Sequence, residues 1–232
     1  MPDAPLPACL HDLRTLDRGP GLVLARCGYR PEAFTEDAFD QAGVPLPPGL
    51  ERAVAKRRAE YLAGRVCARA GLTLALGQDA IPAPGADRAP RWPDGAVGAI
   101  THSHGEAAAL TGDGRLWLGL GLDREQWLVP ARARRLAGQI LTPRERHELS
   151  ELDDDAFARR LTRVFSIKES LFKTLYPLTG VRFYFQDAEM VAEDRIALLC
   201  DLSNQWRRGA VVSAQWRDEE AGVLSWVALP RG

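Results

Sequence analysis

Apolar residues recur along the chain in two alternating rhythms. Gly21-Leu22-Val23-Leu24-Ala25 is a short apolar run and reads as a strand. From Leu50 to Gly71 the apolar positions Leu50, Val54, Tyr61, Leu62, Val66 and Ala70 fall near helical spacing, with Gly71 placed to end the helix. Val97–Thr101, Ala107–Thr111 and Arg115–Leu122 read as strands, and Gly112-Asp113-Gly114 as a hairpin turn between the last two. Further on, helices are predicted over Pro130–Ala137, over Pro143–Leu152 with Thr142 as its cap, and over about Asp155–Leu175. Three strands close the pattern at Ile196–Cys200, Ala210–Trp216 and Val223–Leu229. Residues 31–48 read as loop or short helix, and residues 77–95, with four prolines, as a long irregular segment of the kind that often carries function. Helices and strands occur in both halves, so the fold class is α+β.

Composition narrows the function classes. The chain has 232 residues, enough for one large domain or two packed halves. Apolar residues make up 46%, charged residues 26%, and the net charge is −1. These values exclude a disordered chain and give no footprint for nucleic acid. The charge is locally uneven: between Arg52 and Arg69 six basic residues accompany a single acid, Glu60, an excess suited to an anion. Cys9, Cys27, Cys67 and Cys200 are scattered, which points to reduced thiols in a cytoplasmic protein rather than zinc or disulfides. The N-terminus lacks the apolar run of a signal peptide, and no stretch approaches a membrane span.

Three segments carry candidate chemistry. In Gly119-Leu120-Gly121-Leu122-Asp123-Arg124-Glu125 the two carboxylates are two apart on a strand, so both point the same way. Like charges held that close repel unless a cation lies between them, and hard oxygen ligands suit Mg²⁺; two solvated acids at a strand end are the plain alternative. Phe165-Ser166-Ile167-Lys168-Glu169-Ser170-Leu171-Phe172-Lys173 is helical, and Lys168, eleven residues after Phe157, falls on the apolar stripe. Its ammonium either snorkels to water or is held at the core's edge for a phosphate. Glu169, beside Lys168 and one turn before Lys173, is expected to be firmly ionised by the two ammonium groups together with a bound divalent cation. Thr101-His102-Ser103-His104 follows an apolar strand and offers hydroxyl, imidazole and backbone N–H groups to an anion.

Taken in order, the segments Lys56-Arg57 through Tyr61 to Gly64-Arg65, Arg88-Ala89-Pro90-Arg91-Trp92-Pro93, Thr101-His102-Ser103, Gly121-Leu122-Asp123-Arg124-Glu125 and Phe165-Ser166-Ile167-Lys168-Glu169-Ser170 with Lys173 resemble the surfactin-type 4′-phosphopantetheinyl transferases. Within that superfamily the enterobactin-synthase-type branch, which serves siderophore synthesis, is the nearer resemblance. It spans about residues 50–190. The motifs depart from the pattern at Thr101, where serine is usual, and at Arg124, whose side chain is expected on the opposite sheet face.

The resemblance implies two similar α/β halves related by a pseudo-twofold, residues 1–118 and 119–232, with the active site in the cleft between them. It implies transfer of phosphopantetheine from coenzyme A to a serine of an apo carrier domain of a peptide or polyketide synthase, with release of 3′,5′-ADP. Arg57, Arg65, Arg88, Thr101 and His102 would bind the adenylate end and its 3′-phosphate. Lys168 and Lys173 would meet the pyrophosphate. Asp123, Glu125 and Glu169 would ligate Mg²⁺, with Mn²⁺ as an alternative ion, and Glu169 would take the serine proton. A monomer with neither nucleic-acid nor membrane partners is expected. The same three carboxylates would serve a metal-dependent phosphohydrolase, and a non-catalytic module holding nucleotide or carrier would use the same basic helix.

Overall fold

The computed structural model describes residues 5–87 and 89–232. Its contacts divide the chain into two compact units, one reaching to Leu118 and taking in Pro230–Gly232, the other Gly119–Leu229. Each is α+β.

The first unit holds β1 (Leu10–Asp17), β2 (Leu22–Tyr29), the short α1 (Ala38–Ala42), the long α2 (Ala55–Leu76), a two-residue ribbon of β3 (Ala83–Pro84) and β4 (Pro90–Arg91), β5 (Ala96–Ser103) and β6 (Glu106–Asp113). The sheet is antiparallel in the order β1-β2-β6-β5. Helix α2 packs on it through Ala59, Leu62, Ala63 and Cys67, which share a core with Ala25, Cys27, Ala107 and Ala109. The small side chains on both surfaces let helix and sheet approach closely. Gly71 illustrates this: a Cβ there would run into the Thr111 side chain, so this glycine is a packing residue inside the helix. The helix therefore continues past Gly71 and stops at Gly77, whose φ of 69° is left-handed and suits a helix C-cap. It also starts later than the sequence suggested, because Pro48–Leu50 form a separate 3-10 turn.

The second unit contains the rest of β7 (Trp117–Gln126), α3 (Pro130–Ile140), α4 (Pro143–Glu148), α5 (Asp154–Thr179), β8 (Ala188–Ala192), β9 (Arg195–Leu198), β10 (Val211–Ser213), β11 (Gln215–Asp218) and β12 (Gly222–Pro230). Two three-stranded sheets form, in the orders β11-β12-β7 and β10-β9-β8. The expected hairpin at 112–114 does not exist, since β6 pairs with β2 and β5 whereas β7 pairs with β12. Local turn residues there serve a change of sheet. Helix α5 is the centre of this unit's core, where Phe157, Leu161, Val164, Ile167, Leu171 and Leu175 meet Ile196, Leu198, Val212 and Val227. Asp153 caps its start by accepting from the Ala156 N–H, and Gly180 at φ 68° ends it.

Candidate active site

Glycines bring β7 against α5. A Cβ at Gly121 would strike the Ser170 carbonyl and Thr174 hydroxyl, and one at Gly119 would crowd Leu178 and Thr174. Strand alternation then carries the same face to Asp123 and Glu125. Asp123 is 4% exposed. Its Oδ2 accepts from Ser166 Oγ at 2.9 Å and its Oδ1 from Lys173 Nζ at 2.7 Å. Lys173 also donates to the Leu122 carbonyl at 3.0 Å. Behind them Ser166 and Ser170 both reach Ser225 Oγ at 2.8 Å, a buried hydroxyl chain that fixes β12 to α5. Arg124 faces elsewhere, as alternation requires, and pairs with Glu219 at 3.2 Å.

The electrostatics of the cluster are those of crowded acids. Burial pushes the Glu125 carboxyl up to about 7, and the charges of Asp123 and Glu169 add to the effect, while Lys173 and Arg132 oppose it. Glu169 is also raised, chiefly by burial and secondarily by Asp123, against the pull of Lys173. The expectation of an ionised Glu169 counted Lys168, Lys173 and a bound divalent cation; in the metal-free protein only Lys173 of these acts on it, and burial dominates.

Lys168 lies on the apolar stripe with Phe157, and both are buried. Its ammonium does not reach water. Nζ donates to Glu145 Oε2 at 2.6 Å and to the Ile140 carbonyl at 2.9 Å, and the residue is 2% exposed. Where the motif sent Lys168 to a phosphate, the structure thus gives it an intraprotein partner. Glu145 was not singled out by sequence, although Thr142-x-x-Glu145 is a legible capping box and forms as one.

The donor set of Asp123, Glu125 and Glu169 is all hard oxygen and carries more negative charge than Lys173 offsets, which is the chemistry a divalent cation would satisfy. As arranged here, no group of three or more His, Cys, Asp or Glu among the described residues stands in metal-holding geometry. Beside Glu169 lies an apolar pocket of about 240 Å³ lined by Phe172, Phe183, Tyr184 and Phe185, with Arg182 at its side.

In the first unit a cavity of about 680 Å³ is lined by Arg57, Glu60, Arg65, Gly85, Ile100 and His102, among others. Arg57 NH1 is 3.1 Å from His102 Nε2 and 3.6 Å from Glu60 Oε2. Glu60 Oε2 is 3.8 Å from His102 Nδ1, and Tyr29 donates to its other oxygen at 3.3 Å. Arg65 is 6% exposed, stacks its guanidinium 4.5 Å over the Tyr61 ring, and has a buried Nε without a hydrogen-bond acceptor among the described residues. An orphaned buried donor at a cavity wall is a cradle for an anion. Ile100 and His102 share the face that lines the cavity; Thr101, buried between them in sequence, points to the other side of the strand. Arg88 lies outside the described residues. Glu60 was missed as a site residue, although its place one turn after Arg57 was readable.

Comparisons with known proteins give matches on both units. Residues 46–112 match the 4′-phosphopantetheinyl transferase N-terminal domain, and residues 119–223 match the 4′-phosphopantetheinyl transferase superfamily. The chain is 38% identical over 172 residues to the 4′-phosphopantetheinyl transferase Svp of Streptomyces mobaraensis, covering 69% of this chain and 66% of that protein. It thus spans just under two thirds of that relative. It is 33% identical over 177 residues to the 4′-phosphopantetheinyl transferase PptT of Mycobacterium tuberculosis, covering 74% and 76%. It is 29% identical over 197 residues to the enterobactin synthase component D of Escherichia coli (strain K12), covering 85% and 88%. With two family matches falling one on each unit, and relatives that carry the same activity in their names, this chain belongs to the 4′-phosphopantetheinyl transferase superfamily, enzymes that move the phosphopantetheine arm of coenzyme A onto a carrier protein.

Proposed function

We propose that this chain is a magnesium-dependent transferase acting on the serine of apo carrier domains of peptide or polyketide synthases, as a cytoplasmic monomer. A relative named enterobactin synthase component D supports a carrier of siderophore synthesis. The observation that carries the reading is geometric: Gly119 and Gly121 pack β7 on α5, Lys173 pairs with Asp123 at 2.7 Å, and Asp123, Glu125 and Glu169 lie close enough to act on one another's charge.

In this reading the cavity of the first unit receives the 3′-phosphoadenylate of coenzyme A. Arg57 and Arg65 supply guanidinium forks and His102 an imidazole donor; Arg88 is a further family-matched position, whereas Thr101 faces away from this cavity. Asp123, Glu125 and Glu169 would hold Mg²⁺, or Mn²⁺ in its place. When bound, the ion would neutralise charge on the pyrophosphate and orient it. Lys173 adds a cation beside the same carboxylates. The apolar pocket beside Glu169 has the chemistry to take the flexible arm. The carrier serine oxygen forms a bond to the β-phosphorus, and the bond from that phosphorus to the bridging oxygen breaks, so that 3′,5′-ADP leaves. Glu169 accepts the serine proton. In the metal-free protein burial raises its proton affinity, and a bound cation would oppose that shift.

The test is incubation of apo carrier, coenzyme A and Mg²⁺ with intact mass of the carrier as readout. Gain of phosphopantetheine supports transfer. Free pantetheine phosphate with an unchanged carrier supports a phosphohydrolase, and no change in either supports a binding module.

A further inference from the structure

The motif lysine next to Glu169 contributes to the wall of the pocket there, yet both hydrogen bonds of its ammonium go to the protein. Lys168 Nζ is enclosed by Glu145 Oε2 at 2.6 Å and the Ile140 carbonyl at 2.9 Å. Glu145 is itself 2% exposed, with both oxygens engaged. Its Oε2 also accepts the Thr142 N–H at 2.9 Å, and its Oε1 accepts the Met190 N–H at 2.9 Å. Thr142 Oγ1 in turn accepts from the Glu145 N–H at 3.2 Å and donates to Glu189 at 2.5 Å. One buried carboxylate therefore joins the end of α3, the cap of α4, strand β8 and helix α5, and Lys168 is the link to α5. A buried ion pair with both carboxylate oxygens engaged resists rotation of α5, because turning the helix would strand a charge in the core.

That geometry matters one residue away. Successive helical residues differ by about 100° in direction, so fixing Lys168 into the core fixes where Glu169 points. Lys173, five residues on, is set on the side of Asp123 by the same rotation.

We infer that Lys168 is a positioning residue for the transfer reaction: its buried pairing with Glu145 sets the rotation of α5 that presents Glu169 and Lys173 to Asp123 and Glu125. The inference rests on the reading of those four residues as the reactive cluster.

The experiment compares K168M, K168R, E145Q and the double variant E145Q/K168M. It measures thermal unfolding, coenzyme A affinity by calorimetry without carrier, and kcat and KM for carrier modification. K168M and E145Q should each lower kcat by about tenfold or more while changing coenzyme A affinity by less than about twofold. K168R keeps the charge but not the shape, and should lose as much rate as K168M. The double variant removes both buried charges and should recover a good part of the rate lost by K168M, since the stranded carboxylate is gone. If K168M fails to fold, E145Q and the double variant still carry the comparison. The inference is overturned if K168R behaves as wild type, if E145Q behaves as wild type, or if K168M weakens coenzyme A binding about tenfold or more and the double variant shows no recovery; those results would put Lys168 on a phosphate. Wild-type turnover by D123A under the same conditions would instead remove the reactive cluster itself.

Discussion

Lys173 and Asp123 form a 2.7 Å ion pair between α5 and β7, with the aspartate almost fully buried and the lysine partly open. The pair joins the two elements that carry the candidate chemistry. It also holds one oxygen of Asp123 on a cation while the other accepts from Ser166. Removing Asp123 leaves both donors without their acceptor and takes one hard oxygen from the cluster.

Asp123→Ala is therefore expected to abolish transfer, by more than about a hundredfold, a loss at least as large as removal of an outer-shell partner of a metal. The fold should survive, because the cavity left is polar and Lys173 can turn to water. Carrier mass gain at saturating Mg²⁺, together with a circular dichroism melt, checks this. Near-normal turnover by a folded variant would take Asp123 out of the reaction.

Arg57 and Arg65 should distinguish coenzyme A from its 3′-dephospho form. Each offers charge-assisted hydrogen bonds of about 1.5–3 kcal/mol, so alanine at either position should weaken coenzyme A binding more than about tenfold. Binding of the dephospho form should change less. Calorimetric titration with both ligands gives the ratio. Equal affinity of the wild-type protein for the two would return these arginines to the role of a solvated helix face.

Glu169→Gln should keep coenzyme A binding and lose about a hundredfold or more in rate, the usual span of a lost general base. Glutamine preserves size and one oxygen but cannot take the serine proton. The measurements are coenzyme A affinity and turnover across pH. Persistent turnover with an unchanged pH profile would mean Glu169 is not the base, and joint collapse of affinity and rate would give it a chiefly ligand-assembling role.

Glu125 makes the stability of the metal-free protein depend on pH. Its carboxyl is pushed from the ordinary 4.5 up to about 7 by burial and by the charges of Asp123 and Glu169. The folded state then binds this proton more tightly than the unfolded chain does. The contribution is fully present below about pH 4.5 and is lost as pH rises through about 7. In chelator-treated samples, the wild type should lose stability relative to Glu125→Gln between pH 5 and 7.5. Urea midpoints across that range test the sign, and a difference that stays constant would contradict it.

Much of the candidate cluster could be read from the sequence because the geometry within each element is local. Two carboxylates two apart on a strand must share a face, and Asp123 and Glu125 do. Arg124 between them must take the other face, where it meets Glu219. A lysine eleven residues after Phe157 must share its stripe, and Lys168 is buried with it. The basic helix was visible as charge, and Arg57 and Arg65, eight apart, line one cavity.

What the stripe position of Lys168 could not reveal was its partner. Glu145 lies 23 residues away on another helix, and only the packing of α3, α4 and β8 around α5 brings it to the ammonium. For the same reason the metal-free surroundings of Glu169 were not legible: neighbouring charges in sequence include an ammonium that tertiary contacts turn away, and burial, which dominates without a cation, comes from packing. The apparent hairpin at 112–114 failed because strand partners are chosen by long-range pairing, and β7 finds β12, which begins only at Gly222. Gly71 read as a helix end because the Thr111 side chain it accommodates is supplied by β6. Periodicity fixes directions within one element, so the sequence determined which residues share a face; which distant groups those faces meet is set by packing between elements, and that only the tertiary structure decided.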